Sequence, residues 1–363
     1  MNIIKNKVLI ATGGTGGHIF PSISLADFLN TKYEVEMITD KRGLKYLKNY
    51  KKNSIKIINS GTIFERNFFK IMFGIYKVFT SLTLSIFFMI RSRPKLIIGM
   101  GGYSSFPVCL AGYFLRIPVL IYENNLVIGR ANRFLLPIVK RILVSTNNIQ
   151  GIEPKYAKKI FFCGYLIRDH ILSLKKEKTI NSEKKFFSLL VIGGSQSARV
   201  FGEILPEIIV KCFKKSVKFK IYQQCLDYQI DKIKKIYQKF NLEHELFVFS
   251  DDISKYYKFA DLAISRSGAS SIAELINLKI PFIAIPLPSS IDNHQLINAK
   301  YFKNKGYCFL LEEKFVSDKL FEILMTIKEN KNKLLSIKEK MSEHSDQETP
   351  SKIEGLIERI LNE

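Results

Sequence analysis

The chain has 363 residues, too many for one ordinary domain and enough for two with sizeable cores. Hydrophobic residues make up 47%, with 28 Phe and no long polar tract, which excludes a disordered chain. Lys and Arg outnumber Asp and Glu by 56 to 33; that surplus attracts polyanions such as nucleic acid, anionic lipid or phosphorylated substrates, or else follows genome base bias.

The N-terminal MNIIKNKVLIATGG puts basic residues before a short apolar run that ends in glycines without a small-residue cleavage site, so it reads as a strand, not a signal peptide. Apolar runs at 7–12, 33–39, 95–100, 118–123 and 141–146 alternate with stretches long enough for helices. The same series recurs at 186–194, 218–224, 245–250, 261–268 and 281–286. This is the pattern of parallel sheets with crossover helices. The expected fold is α/β, two Rossmann-like doubly wound domains (1–164 and 186–345) facing a cleft. A linker at 165–185 contains the polar stretch LSLKKEKTINSEKK, and a terminal helix at 346–363 is expected to pack back toward the first domain. Cys109, Cys163, Cys212, Cys225 and Cys308 lie far apart with no C-x-x-C, as reduced core residues do.

Three turns are rich in glycine: residues 13–17, 99–102 and 193–199. Glycine lets a backbone turn sharply or a phosphate come close, and a following helix N-terminus offers N–H groups and partial positive charge. The stretches 16–29 and 101–115 echo each other, each with a glycine pair, Phe-Pro and a Leu-Ala helix. Pro21 and Pro107 suit the first turn of those helices. Two turns built alike open on one carboxyl edge of a sheet, where ligands bind in open α/β folds. Asp40 ends the second apolar run, where a dehydrogenase would place its ribose-binding acid. The third glycine of G-x-G-x-x-G would fall on Ile19, and no G-x-x-x-x-G-K-[ST] loop occurs, so dinucleotide and simple nucleotide chemistry both lose support. In the second half, a Ser-Gly-Ala-Ser-Ser turn opens a helix carrying Glu274. A carboxylate there can accept two hydrogen bonds from a ribose diol, or simply sit favourably near a helix N-terminus.

GGTGGHIFP, GMGGYSSFP, YENNLVIGRAN, GGSQSAR, RSGASSIAEL and DNHQLINA, in this order and spacing, resemble the motifs of the MurG family, GT-B glycosyltransferases of cell-wall synthesis. The resemblance implies transfer of N-acetylglucosamine from UDP-N-acetylglucosamine to the muramyl 4-hydroxyl of lipid I, with inversion, to give lipid II and UDP. It assigns Thr15, Gly16, Gly17, Asn125, Arg168, Ser195, Gln196, Ser250, Gly268, Ala269, Ser270, Ser271, Glu274 and Gln295 to the donor. His18 becomes the candidate base, with Gly13, Gly14, Gly101, Gly102 and Tyr103 in the loops for the acceptor diphosphate. Asn125 falls on a motif position of the acceptor half as well. Ser197, Tyr122 and Asn124 depart from the usual glycine, histidine and glutamine. Another GT-B UDP-sugar enzyme, a diacylglycerol glycosyltransferase or an epimerase, is the alternative.

Asp251 and Asp252 do not make a D-x-D motif and one can cap the next helix, so no obligatory metal or other cofactor is expected. Residues 68–90 are long and apolar enough to span a bilayer, but a span would separate two loops of one sheet. Lys70, Gly74, Lys77, Ser81 and Ser85 form a narrow polar stripe on this helix, and Arg66, Lys70, Lys77, Arg91, Arg93 and Lys95 surround it with charge. A peripheral membrane protein bound to anionic lipid follows, and the resemblance implies the cytoplasmic face of the inner membrane. Charge alone supports nucleic acid, which is not expected as a partner. Other cell-wall synthesis enzymes are partners by resemblance only.

Overall fold

The computed structural model describes residues 5–47, 50, 54–59, 61, 68–174, 187–193, 198–250, 252–330 and 332–363. The chain divides into two compact units, one of residues 1–168 with 346–363 and one of residues 169–345.

In the first unit seven strands form one sheet: β1 (Lys7–Ala11), β2 (Glu34–Asp40), β3 (Ser54–Ile58), β4 (Leu96–Gly99), β5 (Val119–Glu123), β6 (Arg141–Val144) and β7 (Ile160–Phe162). Their order is β3-β2-β1-β4-β5-β6-β7, with every paired neighbour parallel. Val8 lies opposite Val35 on one side and Leu96 on the other. The central strands β4 and β5 are buried along their whole length, as strands covered on both faces must be, and so read as unbroken apolar runs. The helices are α1 (Gly16–Leu29), α2 (Lys41–Leu47), α3 (Phe68–Ser92), α4 (Ser105–Phe114) and α5 (Arg130–Leu135). The second unit holds α6 (Asp169–Ser173), α7 (Ala198–Lys214), α8 (Ile230–Lys239), α9 (Ser254–Tyr257), α10 (Ala269–Asn277), α11 (His294–Asn304), α12 (Val316–Glu329) and α13 (Asn332–Ser342). Its strands β8 (Phe187–Ile192), β9 (Phe219–Gln224), β10 (Glu243–Phe247), β11 (Leu262–Ser265), β12 (Phe282–Ala284) and β13 (Cys308–Leu310) run parallel in the order β10-β9-β8-β11-β12-β13. The order reverses between β1 and β4 in one sheet and between β8 and β11 in the other, which places the glycine turns at the switch points.

Several expectations need correction. The linker does not begin at 165, because Tyr165, Leu166 and Ile167 are buried in the first unit; the expected segment from 175 to 185 lies outside the described residues. Beyond 345 the chain returns as α14 (Thr349–Asn362), whose Ile353, Leu356, Ile357 and Ile360 join the first core beside Leu25 and Leu29 of α1. β10 starts at Glu243, two residues before the expected run, so Val248 and Phe249 lie past its end and are exposed. Pro21 is the sixth residue of α1, not a first-turn proline. With no N–H, it leaves the Gly17 carbonyl without its i+4 donor, and Asn124 Nδ2 donates there at 2.9 Å.

α3 is built with its apolar face outward. Gly74, Ser81, Ser85 and Met89 turn inward, where Ser81 donates to the Asn59 carbonyl and Ser85 to the Ser81 carbonyl. Phe69, Met72, Phe73, Tyr76, Phe79, Phe87 and Ile90 recur at three- and four-residue spacing on the exposed side. Gly74, Ser81 and Ser85 of the polar stripe therefore pack on the domain and the exposed apolar stripe does not; Arg66 and the side chain of Lys70 lie outside the described residues. By length and composition Ile71–Ser92 could cross a membrane, but β3 before it and β4 after it belong to one sheet, which a crossing would tear apart.

Candidate functional site

In the first unit the turns after β1 and β4 are locked together. Gly14, Gly101 and Gly102 have φ of +83°, +89° and +80°, a region that favours glycine. A Cβ on Gly102 would lie 2.7 Å from the Gly13 carbonyl oxygen, and one on Gly101 2.8 Å from the His18 ring. Ser104 completes the contact by donating to the Thr12 carbonyl at 3.0 Å. Gly13, Gly14, Gly101, Gly102 and His18 thus belong to one packed cluster. Tyr103 follows them, half-buried. Thr15 is exposed at the N-cap of α1, with Gly16 and Gly17 in its first turn.

Asp40 does not serve as a ribose acid here. Its buried carboxylate accepts N–H bonds from Gly14 (3.1 Å) and Gly43 (2.8 Å) through Oδ1, and from Arg42 Nε (3.1 Å) and Nη2 (2.9 Å) through Oδ2. Glu123 plays a matching part beside the loop. It is buried and accepts from the Asn125 backbone and Nδ2 at 3.0 and 3.1 Å, from Gly129 N at 2.8 Å and from Asn132 Nδ2 at 3.0 Å. Asn125 is therefore held by its own strand end, and Asn124 ties that end to α1. The departures at 122 and 124 are structural: buried Tyr122 accepts from Leu166 N at 3.1 Å and donates to the Gly164 carbonyl at 3.3 Å, and burial pushes its phenol pKa well above the usual range. Arg168 lies over the Phe20 ring of α1 at 4.5 Å.

In the second unit the turn after β11 is organised by side-chain amides. Gln295 Oε1 accepts from Ser267 N at 3.2 Å and Leu287 N at 3.0 Å, tying the turn after β11 to the one after β12. Asn298 Nδ2 donates to the Ser267 carbonyl at 3.2 Å. Gly268 caps α10 with φ −66° and ψ 138°, a conformation open to any residue, and a Cβ there would meet nothing within 4 Å. Neither backbone nor packing requires glycine at 268. Ala269, Ser270 and Ser271 form the first turn of α10, and the Ser267 hydroxyl below them is buried with no hydrogen-bond partner among the described residues. Glu274 is buried in the same helix, its Oε2 accepting from the Tyr257 hydroxyl at 2.8 Å.

Arg266 sits beneath this turn. It pairs with Glu313, donates to the Ile285 and Pro286 carbonyls at 3.4 and 3.3 Å, and lies 4.8 Å over the Phe201 ring. Burial pushes its pKa down, against the opposing pull of Glu313. Ser250 donates to the Asp252 carbonyl at 2.7 Å, and the Asp252 carboxylate accepts Ser254 N at 2.9 Å just before α9. Ser195, Gln196 and Ser197 lie outside the described residues. Among the described residues no three His, Cys, Asp or Glu side chains cluster as metal ligands.

Sequence reasoning did not find the supporting residues Asp40, Arg42, Glu123, Tyr257, Asn298 and Arg266. Glu123, Arg266 and Asn298 lie within the quoted motifs without a role of their own, and Asp40, at the end of β2, suggested a different ligand.

Two doubly wound parallel units with ligand turns at their switch points are the fold of GT-B glycosyltransferases. Residues 8–144 match the glycosyltransferase family 28 N-terminal domain and residues 188–355 its C-terminal domain. A Pelagibacter ubique UDP-N-acetylglucosamine–N-acetylmuramyl-(pentapeptide) pyrophosphoryl-undecaprenol N-acetylglucosamine transferase is 35% identical over 99% of this chain and 100% of its own. The transferase of the same description from Rickettsia canadensis is 36% identical over 89% of this chain and 92% of its own. The crystal structure of Acinetobacter baumannii MurG, 24% identical, superposes with a TM-score of 0.77 over 98% of this chain and 99% of that one. The chain belongs to glycosyltransferase family 28 and, within it, to the MurG transferases.

Proposed function

We propose that this protein transfers N-acetylglucosamine from UDP-N-acetylglucosamine to the muramyl 4-hydroxyl of undecaprenyl-diphosphate-linked lipid I, forming lipid II and UDP. The observation that carries the reading is the end-to-end similarity to transferases of that description, joined to two ligand turns at two switch points. An epimerase or diacylglycerol glycosyltransferase would not account for that similarity.

The donor belongs to the second unit. Glu274, steadied by Tyr257, accepts the ribose hydroxyls; the turn at Gly268, Ala269, Ser270 and Ser271 takes the diphosphate on α10 N–H groups; Gln295 donates its amide to the sugar. Ser195, Gln196 and Ser250 complete the donor contacts by resemblance. Thr15, Gly16, Gly17 and Asn125 are assigned to the donor by resemblance alone. The acceptor diphosphate lies against Gly13, Gly14, Gly101, Gly102 and Tyr103. His18 takes the proton of the attacking hydroxyl, the sugar C1–O bond to UDP breaks as the β-1,4 bond forms, and the departing electron pair stays on the UDP phosphate. Helix N–H groups and Arg168 offset that charge, so no metal or other cofactor is obligatory. Labelled N-acetylglucosamine should pass to a short-chain lipid I analogue equally with and without EDTA. Binding of the UDP sugar with no product would move the assignment to another acceptor.

The outward apolar face of α3, with exposed Arg91, Arg93 and Lys95 at its end, supports a peripheral place on the cytoplasmic face of the inner membrane. Vesicles rich in anionic lipid should pellet the protein and high salt should release it; Phe79→Glu with Phe87→Glu should abolish pelleting and leave the thermal midpoint intact. Nucleic acid is not a partner in this reading, and contacts with other wall-synthesis enzymes rest on resemblance alone.

A further inference from the structure

The first glycine turn presents a charge problem. Within residues 12–18 the side chains are Thr12, Thr15 and His18, so the loop itself offers an anion only neutral donors when the imidazole is neutral. A lipid-linked diphosphate seated there carries formal negative charge that backbone N–H groups disperse but do not balance. The nearby Arg168 already rests on Phe20 and is assigned to the leaving UDP.

We infer that Arg42 is a further acceptor-binding residue that contacts the lipid-linked diphosphate, and that Asp40 is the positioning residue that aims it; the inference rests on the acceptor reading above. The geometry separates two jobs of the Asp40 carboxylate. Through Oδ1 it accepts Gly14 N and Gly43 N, fixing the glycine turn to the start of α2. Through Oδ2 it holds Arg42 in a forked pair, Nε at 3.1 Å and Nη2 at 2.9 Å. One buried side chain therefore sets both the loop and the cation beside it. Two rotamer-rich degrees of freedom are removed before any ligand arrives, which lowers the ordering cost of binding.

The Arg42 side chain is 59% exposed while its partner carboxylate is 3% exposed, so the guanidinium forms the lid of the pair and faces solvent. Nε and Nη2 are committed to Asp40, and Nη1 carries the donors available to a ligand. Gly14 borders it closely: a Cβ built on that glycine would stand 3.9 Å from Nη2. An anion approaching the open face of Gly14 would meet the guanidinium edge. Arginine suits this place because its planar fork can bind a carboxylate on one edge and a phosphate on another, which a lysine ammonium cannot do with fixed direction. A guanidinium that served only to neutralise Asp40 would have less to do, since that carboxylate already accepts two backbone N–H bonds.

The test is steady-state transfer to a short-chain lipid I analogue by full-length Arg42→Ala, Arg42→Lys and Asp40→Asn, with KM measured separately for acceptor and UDP-N-acetylglucosamine, alongside thermal midpoints. Arg42→Ala should raise the acceptor KM at least tenfold with the donor KM and midpoint unchanged. Arg42→Lys should recover part of that loss. Asp40→Asn should raise the acceptor KM and also lower the midpoint. An unchanged acceptor KM in Arg42→Ala overturns the inference, and so does an equal rise in both KM values with a lower midpoint, the mark of a structural role. If the wild-type protein binds the UDP sugar yet transfers nothing to the analogue, the acceptor reading fails and this inference with it.

Discussion

The two ligand turns solve one problem in opposite ways. After β1 and β4 the turns pack tightly on each other: Gly102 faces the Gly13 carbonyl, Gly101 faces the His18 ring, and three glycines hold positive φ. After β11, side-chain amides do the organising and Gly268 has empty space around it in an ordinary conformation. Glycine in the first turn serves the protein's own packing; glycine in the second serves whatever comes to occupy the space. The same residue type therefore predicts a stability defect in one unit and a binding defect in the other.

The largest effect should break the first turn. Gly102→Ala combines a disfavoured φ with a backbone clash and should cost about 3 kcal/mol of stability, read as a lower urea midpoint. Gly268→Ala, by contrast, should leave that midpoint within about 0.5 kcal/mol and still weaken UDP binding in calorimetry. Equal stability losses at the two positions would erase the distinction.

Next in size, Glu274→Ala should weaken UDP-N-acetylglucosamine binding roughly 10- to 100-fold, the range expected when a charged acceptor of two hydrogen bonds is lost. Tyr257→Phe removes only the hydroxyl that steadies Glu274, so its loss of affinity should be smaller. Gly101→Ala should push the imidazole of His18 aside, lowering kcat while donor affinity in isolated binding measurements holds.

One effect should treat the units alike. Burial pushes the thiols of Cys109 in the first unit and Cys308 in the second up to about 12. A folded pKa raised above the unfolded one gives stability that is complete below the unfolded thiol's range, near pH 8.5, and is lost as pH climbs toward 12. The urea midpoint should therefore fall with increasing slope above about pH 9, less so in Cys308→Ala, and neither thiol should react with iodoacetamide in the native protein at pH 8.

Much of this was legible in the sequence, for physical reasons. Interior strands such as β4 and β5 are apolar throughout because both their faces are covered. β3 escaped because it lies at the sheet edge, where only Ile58 of its five residues is fully buried, and β7 and β13 are three residues long. Glycine turns announce themselves by spacing. Their braces do not: Asp40 and Glu123 act on backbone N–H groups and amides that only the fold brings near, and the role of Asn124 follows from a carbonyl that Pro21 leaves without its helical donor. For α3 the composition revealed two faces but not which was inside, since small inward serines let the helix sit close while bulky apolar residues remain outside.

The return of α14 to the first core has a consequence for the order of assembly. A ribosome delivers Ile353, Leu356, Ile357 and Ile360 only after every residue of the second unit has been made. The unit translated first is therefore the last to close, and until then its core beside Leu25 and Leu29 of α1 lacks these four apolar side chains, a natural place for a chaperone to be needed.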